Sequence, residues 1–380
     1  MINTTLKSNL STTMKPNRPI SSGFSVIKRY KLRMILIVAV SWTLIDSLFY
    51  ILRLTQEPSP SKYSLFQTHT TQTILLRELN VFFLSILMAY FLVFFMKNYF
   101  RRISLWVNML LKAIVLIAAA LVINFFIHFT YATLIVKQTA AYALKSFYRY
   151  TFETPWLVQK IPEWIILFVL TQLIIEINEK YSPGVFVDIV LGKYVQPKDE
   201  KRIIMFIDLK DSTTIAEKLG HKEYFKFIRD FIYYISIGLM EYGGRIYQYV
   251  GDEIVVSWPD SARSAKKCIY GLIEARKSLH KHLNLFVRNY GVTPEFKAGI
   301  HVGEVTIGEI GIIKKDLVMS GDTMNTTARI RTACNELNQK YMASKDFLDR
   351  IDLKNWQAES FGQVELKGKN ESIELFALRI

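Results

Sequence analysis

Asp208 and Asp252 stand 44 positions apart, each where an apolar run stops, in Phe206-Ile207-Asp208-Leu209 and Tyr249-Val250-Gly251-Asp252. A carboxylate at a strand end and another in a tight turn can come close enough to share two divalent cations. Asn325 and Arg329 follow at i and i+4, on one face of a helix. Two metal-holding carboxylates, an amide and a planar multi-donor cation form a set that can bind a nucleoside triphosphate and activate a hydroxyl.

The elements around these residues read as a compact α+β domain from Arg202 onward. Residues 203–207 form a short strand ending at Asp208, and Ser212-Thr213-Thr214 supplies N-cap hydroxyls for a helix that holds Glu217. Residues 222–241 give a longer helix with an aromatic face, closed by Gly243-Gly244. A hairpin of 246–250 and 254–258 turns at Gly251-Asp252. A long helix is expected over 261–290, a strand pair from 296–302 and 305–307, and a helix over 322–331. The order βααββαβ, with helices on one face of a sheet, is a ferredoxin-like palm.

Five segments then carry a family resemblance: Phe206-Ile207-Asp208-Leu209-Lys210-Asp211-Ser212-Thr213, Val250-Gly251-Asp252, Gly299-Ile300-His301-Val302-Gly303, Gly321-Asp322-Thr323-Met324-Asn325-Thr326-Thr327-Ala328-Arg329, and Leu366-Lys367-Gly368-Lys369. In order and spacing they resemble the motifs of class III nucleotidyl cyclases, over roughly residues 200–380. The resemblance implies that Asp208 and Asp252, with the backbone of Leu209, hold two Mg²⁺ or Mn²⁺ ions. One ion would activate the ribose 3′-hydroxyl and the other would grip the triphosphate. Amides of Lys210, Asp211, Ser212 and Thr213, at a helix start, would cradle the β- and γ-phosphates, and Lys367 would bind phosphate as well. Asn325 would orient the ribose and Arg329 would stabilise charge on the reacting phosphate. The family builds this site across a homodimer, so the resemblance also implies a second copy of the chain.

Base selection departs from the family. Four residues before the second aspartate, lysine accompanies adenine and glutamate guanine; this chain has Gln248. Seven before the asparagine, aspartate or threonine accompanies adenine and cysteine guanine; this chain has Val318. Glutamine both donates and accepts, whereas valine offers only shape. ATP is the first expectation, with GTP and pyrimidine triphosphates open. A cyclase-like domain that senses nucleotide without turnover, or one that only dimerises and recruits partners, are the alternatives. Two costly carboxylates side by side argue against both.

The first half of the chain is of another kind. Residues 1–180 hold 19 Lys+Arg against 7 Asp+Glu, a net of +12, and residues 181–380 hold 29 against 26, a net of +3. The excess lies beside long apolar runs at 34–52, 79–96, 113–136 and 161–177, which is the pattern of a membrane protein and not of a nucleic-acid binder. Each run is read as a span, since crossing a hydrocarbon core takes ~17–20 residues. Residues 1–33 are a basic tail, 34–177 an all-α four-helix transmembrane domain, 178–200 a coupling linker broken by Pro183-Gly184, and 201–380 the cyclase-like domain. Lys7, Lys15, Arg18, Lys28, Arg29, Lys31 and Arg33 in the tail, with Lys97, Arg101, Arg102 and Lys112 between spans two and three, place both segments in the cytoplasm, and the catalytic domain with them. The connections 53–78 and 137–160 then face outward, the second despite four basic residues, and the first span stays as an anchor.

Within the spans, Asp46 and the Asn124/His128 pair are polar enough to mark a sensing site or simply to bond a neighbouring helix. Cys268 and Cys334 are the only cysteines, too few for a disulfide framework or a zinc site, and are expected in the packing. His301, between two apolar strand residues and without a second ligand at metal spacing, reads as structural. Lys210 and Asp211 read as solvent-facing charges.

Overall fold

A computed structural model describes residues 26–56, 71–91, 105–180, 188, 191–312, 316–351, 358–366 and 372–380. The first half is helical: α1 Val26–Gln56, α2 Thr71–Phe91 and α3 Leu105–Thr130, which runs on into a π-helical turn Tyr131–Ile135. Among the described residues three segments are long and apolar enough to cross a membrane: Lys28–Leu52, Thr71–Phe91 and Leu110–Ile135. After them come α4 Ala140–Phe152, whose N-cap Thr139 side chain accepts from the Tyr142 amide, and α5 Trp156–Lys180.

The fourth expected span, 161–177, falls on α5 and is not among these segments, so four spans are corrected to three candidates. Polar residues break up its apolar stretch, with Lys160 and Glu163 near its start and Thr171, Gln172 and Glu176 further along. Lys160 and Glu163 are buried and pair with each other at 2.6 Å near the start of α5.

The helices meet through a core of Ile35, Val38 and Trp42 from α1, Val81 and Ala89 from α2, Leu116, Ala120 and Ile123 from α3, and Trp156 and Trp164 from α5. On α2 every fourth residue from Thr73 to Ala89 is buried, a straight seam of Thr73, Arg77, Val81, Ser85 and Ala89. Asp46 bonds a neighbouring helix through an ion pair with Arg77, and Ser47 donates to Glu78 at 2.6 Å. Trp42 Nε1 donates to Thr171 Oγ1 at 2.6 Å, His128 Nε2 meets Ser146 Oγ at 2.8 Å, and Asn124 returns its amide to the Ala120 carbonyl. These bonds satisfy polar groups that lipid cannot.

The second half is an eight-stranded sheet in the order β2-β3-β1-β4-β6-β8-β7, with β5 paired to β4. The strands are β1 Lys198–Leu209, β2 Arg245–Val250, β3 Glu253–Pro259, β4 Phe296–Ile310, β5 Asp316–Ser320, β6 Tyr341–Ser344, β7 Ala358–Glu365 and β8 Ser372–Leu378. Between them run α6 Ser212–Glu241, α7 Ala262–Lys281, α8 Leu283–Tyr290, α9 Asp322–Glu336 and the short α10 Lys345–Leu348. Central β1 lies between β3 and β4, antiparallel to both, which is the arrangement of the expected palm.

Four details differ from the sequence-based expectation. The two helices after β1 are one, kinked at Gly220. The helix expected over 261–290 breaks at His282 into α7 and α8. The strand pair 296–307 is one continuous strand, because Gly303-Glu304 is no turn: both residues stay paired with Arg202 and Lys201 across the ladder. Finally, helices cover both faces of the sheet. Ile203, Met205 and Ile207 pack on the α6/α7 side with Phe227, Phe231 and Leu272, while Ile204 and Phe206 pack on the other side with Met324 and Ala328 of α9. Strand alternation therefore turns Asp208 to the α9 side.

Of the expected linker, residues 181–187, 189 and 190 lie outside the described residues, as do the tail residues 1–25 and Lys97, Arg101 and Arg102. Asp188 lies 3.7 Å from both Lys193 and Arg245, and Lys193 reaches Glu200 at 3.2 Å. Both cysteines are buried and free, as packing residues should be.

Candidate active site

Asp208 lies one residue from the end of β1, and Asp252 follows Gly251 in the turn between β2 and β3. Gly251 has φ +62°, a left-handed conformation that glycine adopts without steric cost, so the turn can be tight. Pairing of β1 with β3 runs from Arg202–Pro259 to Ile207–Ile254, so the next residues along, Asp208 and Glu253, end side by side. Asp208 and Asp252 are within hydrogen-bonding reach of each other.

Three carboxyls thus crowd one end of the sheet, with one cation beside them among the described residues. That cation is Arg331 of α9, whose Nη1 lies 3.2 Å from Asp208 and Nη2 2.7 Å from Glu253. Burial raises the Asp208 carboxyl to about 6; Arg331 draws it down, while Asp252 and Glu253 push it up. Glu253 is also raised, again by burial first and against the pull of Arg331. Tyr224 on α6 shares this neighbourhood: burial, then the charge of Asp252, raises its hydroxyl, which hydrogen-bonds Ser212.

Asn325 is exposed and Arg329 half-buried on α9, and among the described residues Arg329 pairs with no carboxylate. At ~100° of turn per residue, a helix that aims Arg331 at Asp208 turns Arg329 roughly 160° and Asn325 roughly 120° away from that direction. The structure therefore brings Asp208 and Asp252 together and directs the Asn325/Arg329 pair elsewhere. The close seat of α9 on the sheet depends on Gly299, where an added Cβ would stand 2.4 Å from the Arg331 backbone nitrogen.

The expected phosphate loop is partly committed. The Lys210 amide donates to the Glu295 carbonyl at 2.9 Å, which takes it out of the cradle. Asp211, with φ 57°, is the N-cap of α6 in place of the serine and threonine hydroxyls, so Ser212 and Thr213 fall in the first turn, where amides lack helical partners. The Lys210 and Asp211 side chains are exposed, and Lys210 pairs with Glu295 at 3.3 Å. Leu209 is buried in the core, leaving only its backbone to the site. Lys367 lies outside the described residues.

Gln248 is exposed on β2 opposite Val255, just past a register shift between Ile246 and Gln248; Val318 is half-buried on β5 opposite Gly308. Their chain neighbours meet: the Met319 amide donates to the Tyr247 hydroxyl at 2.7 Å. His301 is buried with Nδ1 2.7 Å from Ser344 Oγ, the structural role expected of it.

Sequence reasoning missed Glu253, Tyr224 and Arg331. Glu253 adjoins an aspartate already singled out, but Arg331 carries no local signal, since its partners lie 123 and 78 positions away.

Divalent ions fit the carboxylate pair. Among the described residues Asp252 Oδ2 is buried without a hydrogen-bond partner, an oxygen left for a cation to satisfy. Among the described residues no group of three or more His, Cys, Asp or Glu forms a full ligand cage, which leaves coordination positions to substrate oxygens and water.

Residues 194–379 match the adenylate and guanylate cyclase catalytic domain family. Adenylate cyclase 2 of Rhizobium meliloti is 32% identical over 215 residues, which cover 56% of this chain and 58% of that protein. The adenylate cyclase of Anabaena cylindrica is 22% identical over 218 residues, covering 53% of this chain and 42% of that one. The chain thus spans about half the length of these relatives. A bacterial light-regulated adenylyl cyclase of known structure shares the fold, with a TM-score of 0.51 at 20% identity over 58% of this chain and 65% of that one. Preceded by three long apolar helices, residues 194–379 are a class III adenylate/guanylate cyclase catalytic domain.

Proposed function

We propose that the protein is a membrane-anchored nucleotidyl cyclase that converts ATP to a 3′,5′-cyclic nucleotide and pyrophosphate for intracellular signalling. The observation that carries this reading is the Asp208/Asp252 pair with its buried, unpartnered Oδ2. Asp208, Asp252 and the Leu209 carbonyl would hold two Mg²⁺ or Mn²⁺ ions, which when bound acidify the ribose 3′-hydroxyl and neutralise the triphosphate. Amides of Ser212 and Thr213 at the α6 start bind the β- and γ-phosphates, aided by Lys367. Asn325 orients the ribose. Arg329 stabilises charge building on the α-phosphate oxygens, and losing such a donor costs ~10²–10³ in rate.

Two copies of the chain complete the site. The support is rotational: the α9 turn that points Arg331 at its own Asp208 leaves Asn325 and Arg329 to serve a second copy's carboxylates.

ATP is favoured because the two curated relatives above bear adenylate cyclase names. Gln248 can donate to or accept from the base edge, and Val318 contributes shape alone. The catalytic domain is placed in the cytoplasm, where nucleoside triphosphates are made. α5 lies against α1 and α3, and α1 also touches α6.

The test is to incubate the full-length protein in membranes with Mn²⁺ and each of ATP, GTP, CTP and UTP, identifying products by mass spectrometry. Cyclic AMP as the main product is expected. No cyclic product from any of the four would refute the reading.

A further inference from the structure

Arg331 lies outside the machinery named so far, yet it is the cation that touches Asp208. Its backbone is fixed, because α9 sits directly on the bare backbone of Gly299. Its guanidinium crosses to two strands at once, reaching Asp208 on β1 at 3.2 Å and Glu253 on β3 at 2.7 Å. The third nitrogen, Nε, is buried without a hydrogen-bond partner. An arginine kept here despite an unsatisfied donor is held by charge. Among the described residues one positive group faces three carboxyls, and Asp252 is the one without it, keeping a bare buried oxygen.

We propose that Arg331 is a positioning residue that serves as a built-in counter-cation: it holds Asp208 and Glu253 in place before metal binds and must give up Asp208 when a divalent ion arrives. The proposal rests on the cyclase reading and deepens it by naming what sets the metal affinity of that site. Asp208 cannot give its full charge to a cation while a guanidinium lies 3.2 Å from the same carboxylate. Competition therefore weakens metal binding, and the preset geometry is what the arginine contributes in return. Glu253 keeps its bond to Nη2 when Asp208 lets go, so the arginine needs no new partner.

The sign is what makes the idea testable. A residue that only braced the fold would, when removed, weaken metal binding or leave it alone; a competitor would, when removed, tighten it. Free Mn²⁺ is followed by electron paramagnetic resonance as it is titrated into the full-length protein in lipid nanodiscs, without nucleotide. Arg331→Gln is expected to bind Mn²⁺ about tenfold more tightly than the parent, the size expected when one unit charge beside a carboxylate is removed. Arg331→Lys, which keeps the charge, is expected to bind within about threefold of the parent. In turnover, the Mn²⁺ concentration at half-maximal rate should fall for Arg331→Gln while kcat also falls.

Unchanged or weaker Mn²⁺ binding by Arg331→Gln overturns the proposal. If that variant does not fold, Arg331→Met is titrated in its place with the same two outcomes. An Asp208→Asn control separates the levels: if the parent binds Mn²⁺ and this control does not, the metal assignment stands and the arginine idea alone is at stake. If the parent binds no Mn²⁺, both fail.

Discussion

The Tyr247 hydroxyl accepts the Met319 amide at 2.7 Å and so ties β2 to β5 beside both positions assigned to base selection, Gln248 and Val318. β2 is an edge strand, and among the described residues β5 pairs only with β4, so this bond joins two margins of the sheet that the ladder leaves apart. Tyr247 is half-buried, and burial raises the pKa of its hydroxyl against the opposite pull of its bond to Met319.

Tyr247→Phe keeps the ring in its cluster with Met319 and removes the bond. The expected loss of stability is about 1 kcal/mol, since a typical hydrogen bond contributes ~0.5–1.5 kcal/mol net. The larger effect is on selectivity: KM for the preferred triphosphate should rise and its advantage over the others shrink, with kcat nearly kept. A kcat loss without a KM change would show that the bond does not govern the base pocket.

Asp208 gives the metal-free protein a defined pH dependence. Its carboxyl is raised by burial to about 6 from an ordinary 3.8, so the folded form holds its proton over a range where the unfolded chain has released it. Stability from this group is full below the unfolded value and is lost as pH rises from about 4 through about 6. Thermal unfolding in chelator should show that decline, and Asp208→Asn should remove this part of it. Mn²⁺ binding should strengthen over the same interval, because the ion takes the ionised carboxylate. Mn²⁺ affinity that is flat from pH 5 to 7 would contradict the assignment.

In the helical half, Arg77 is 6% exposed between Asp46 and Glu78, with its guanidinium 4.3 Å from the centre of the Tyr50 ring. Arg77→Ala leaves two acids without their cation in an apolar layer, and breaking a buried pair of this kind costs about 3–5 kcal/mol. Asp46→Ala with Arg77→Ala should recover part of that loss. Unfolding in nanodiscs measures both, and an Arg77→Ala protein as stable as the parent would show that water reaches the cluster.

The meeting of Asp208 and Asp252 was legible in sequence because both obey local rules: an apolar run ends at Asp208, and a glycine turn presents Asp252. The central strand and its hairpin were legible for the same reason. What escaped depends on tertiary register. Arg331 finds Asp208 only because Gly299 lets α9 lie against β4, a contact that no local pattern encodes. Gly303-Glu304 looks like a turn between two apolar runs, yet pairing with β1 holds it extended. The Lys210 amide is drawn off by Glu295, 85 residues away. α5 reads as a span by its apolar residues, yet Lys160, Glu163, Thr171, Gln172 and Glu176 are spread along it.

The central claim is that two copies of this chain complete one nucleotidyl cyclase site, with Asp208 from one and Arg329 from the other. The most direct measurement co-expresses an Asp208→Ala chain and an Arg329→Ala chain, each inactive alone, and assays cyclic nucleotide formation from membranes in which tagged heterodimers are demonstrated. With random pairing in a two-fold dimer, half the dimers are mixed and each regains one of two sites, so about a quarter of parental activity is expected. Activity no higher than that of the two inactive chains, with heterodimers present, would contradict the account.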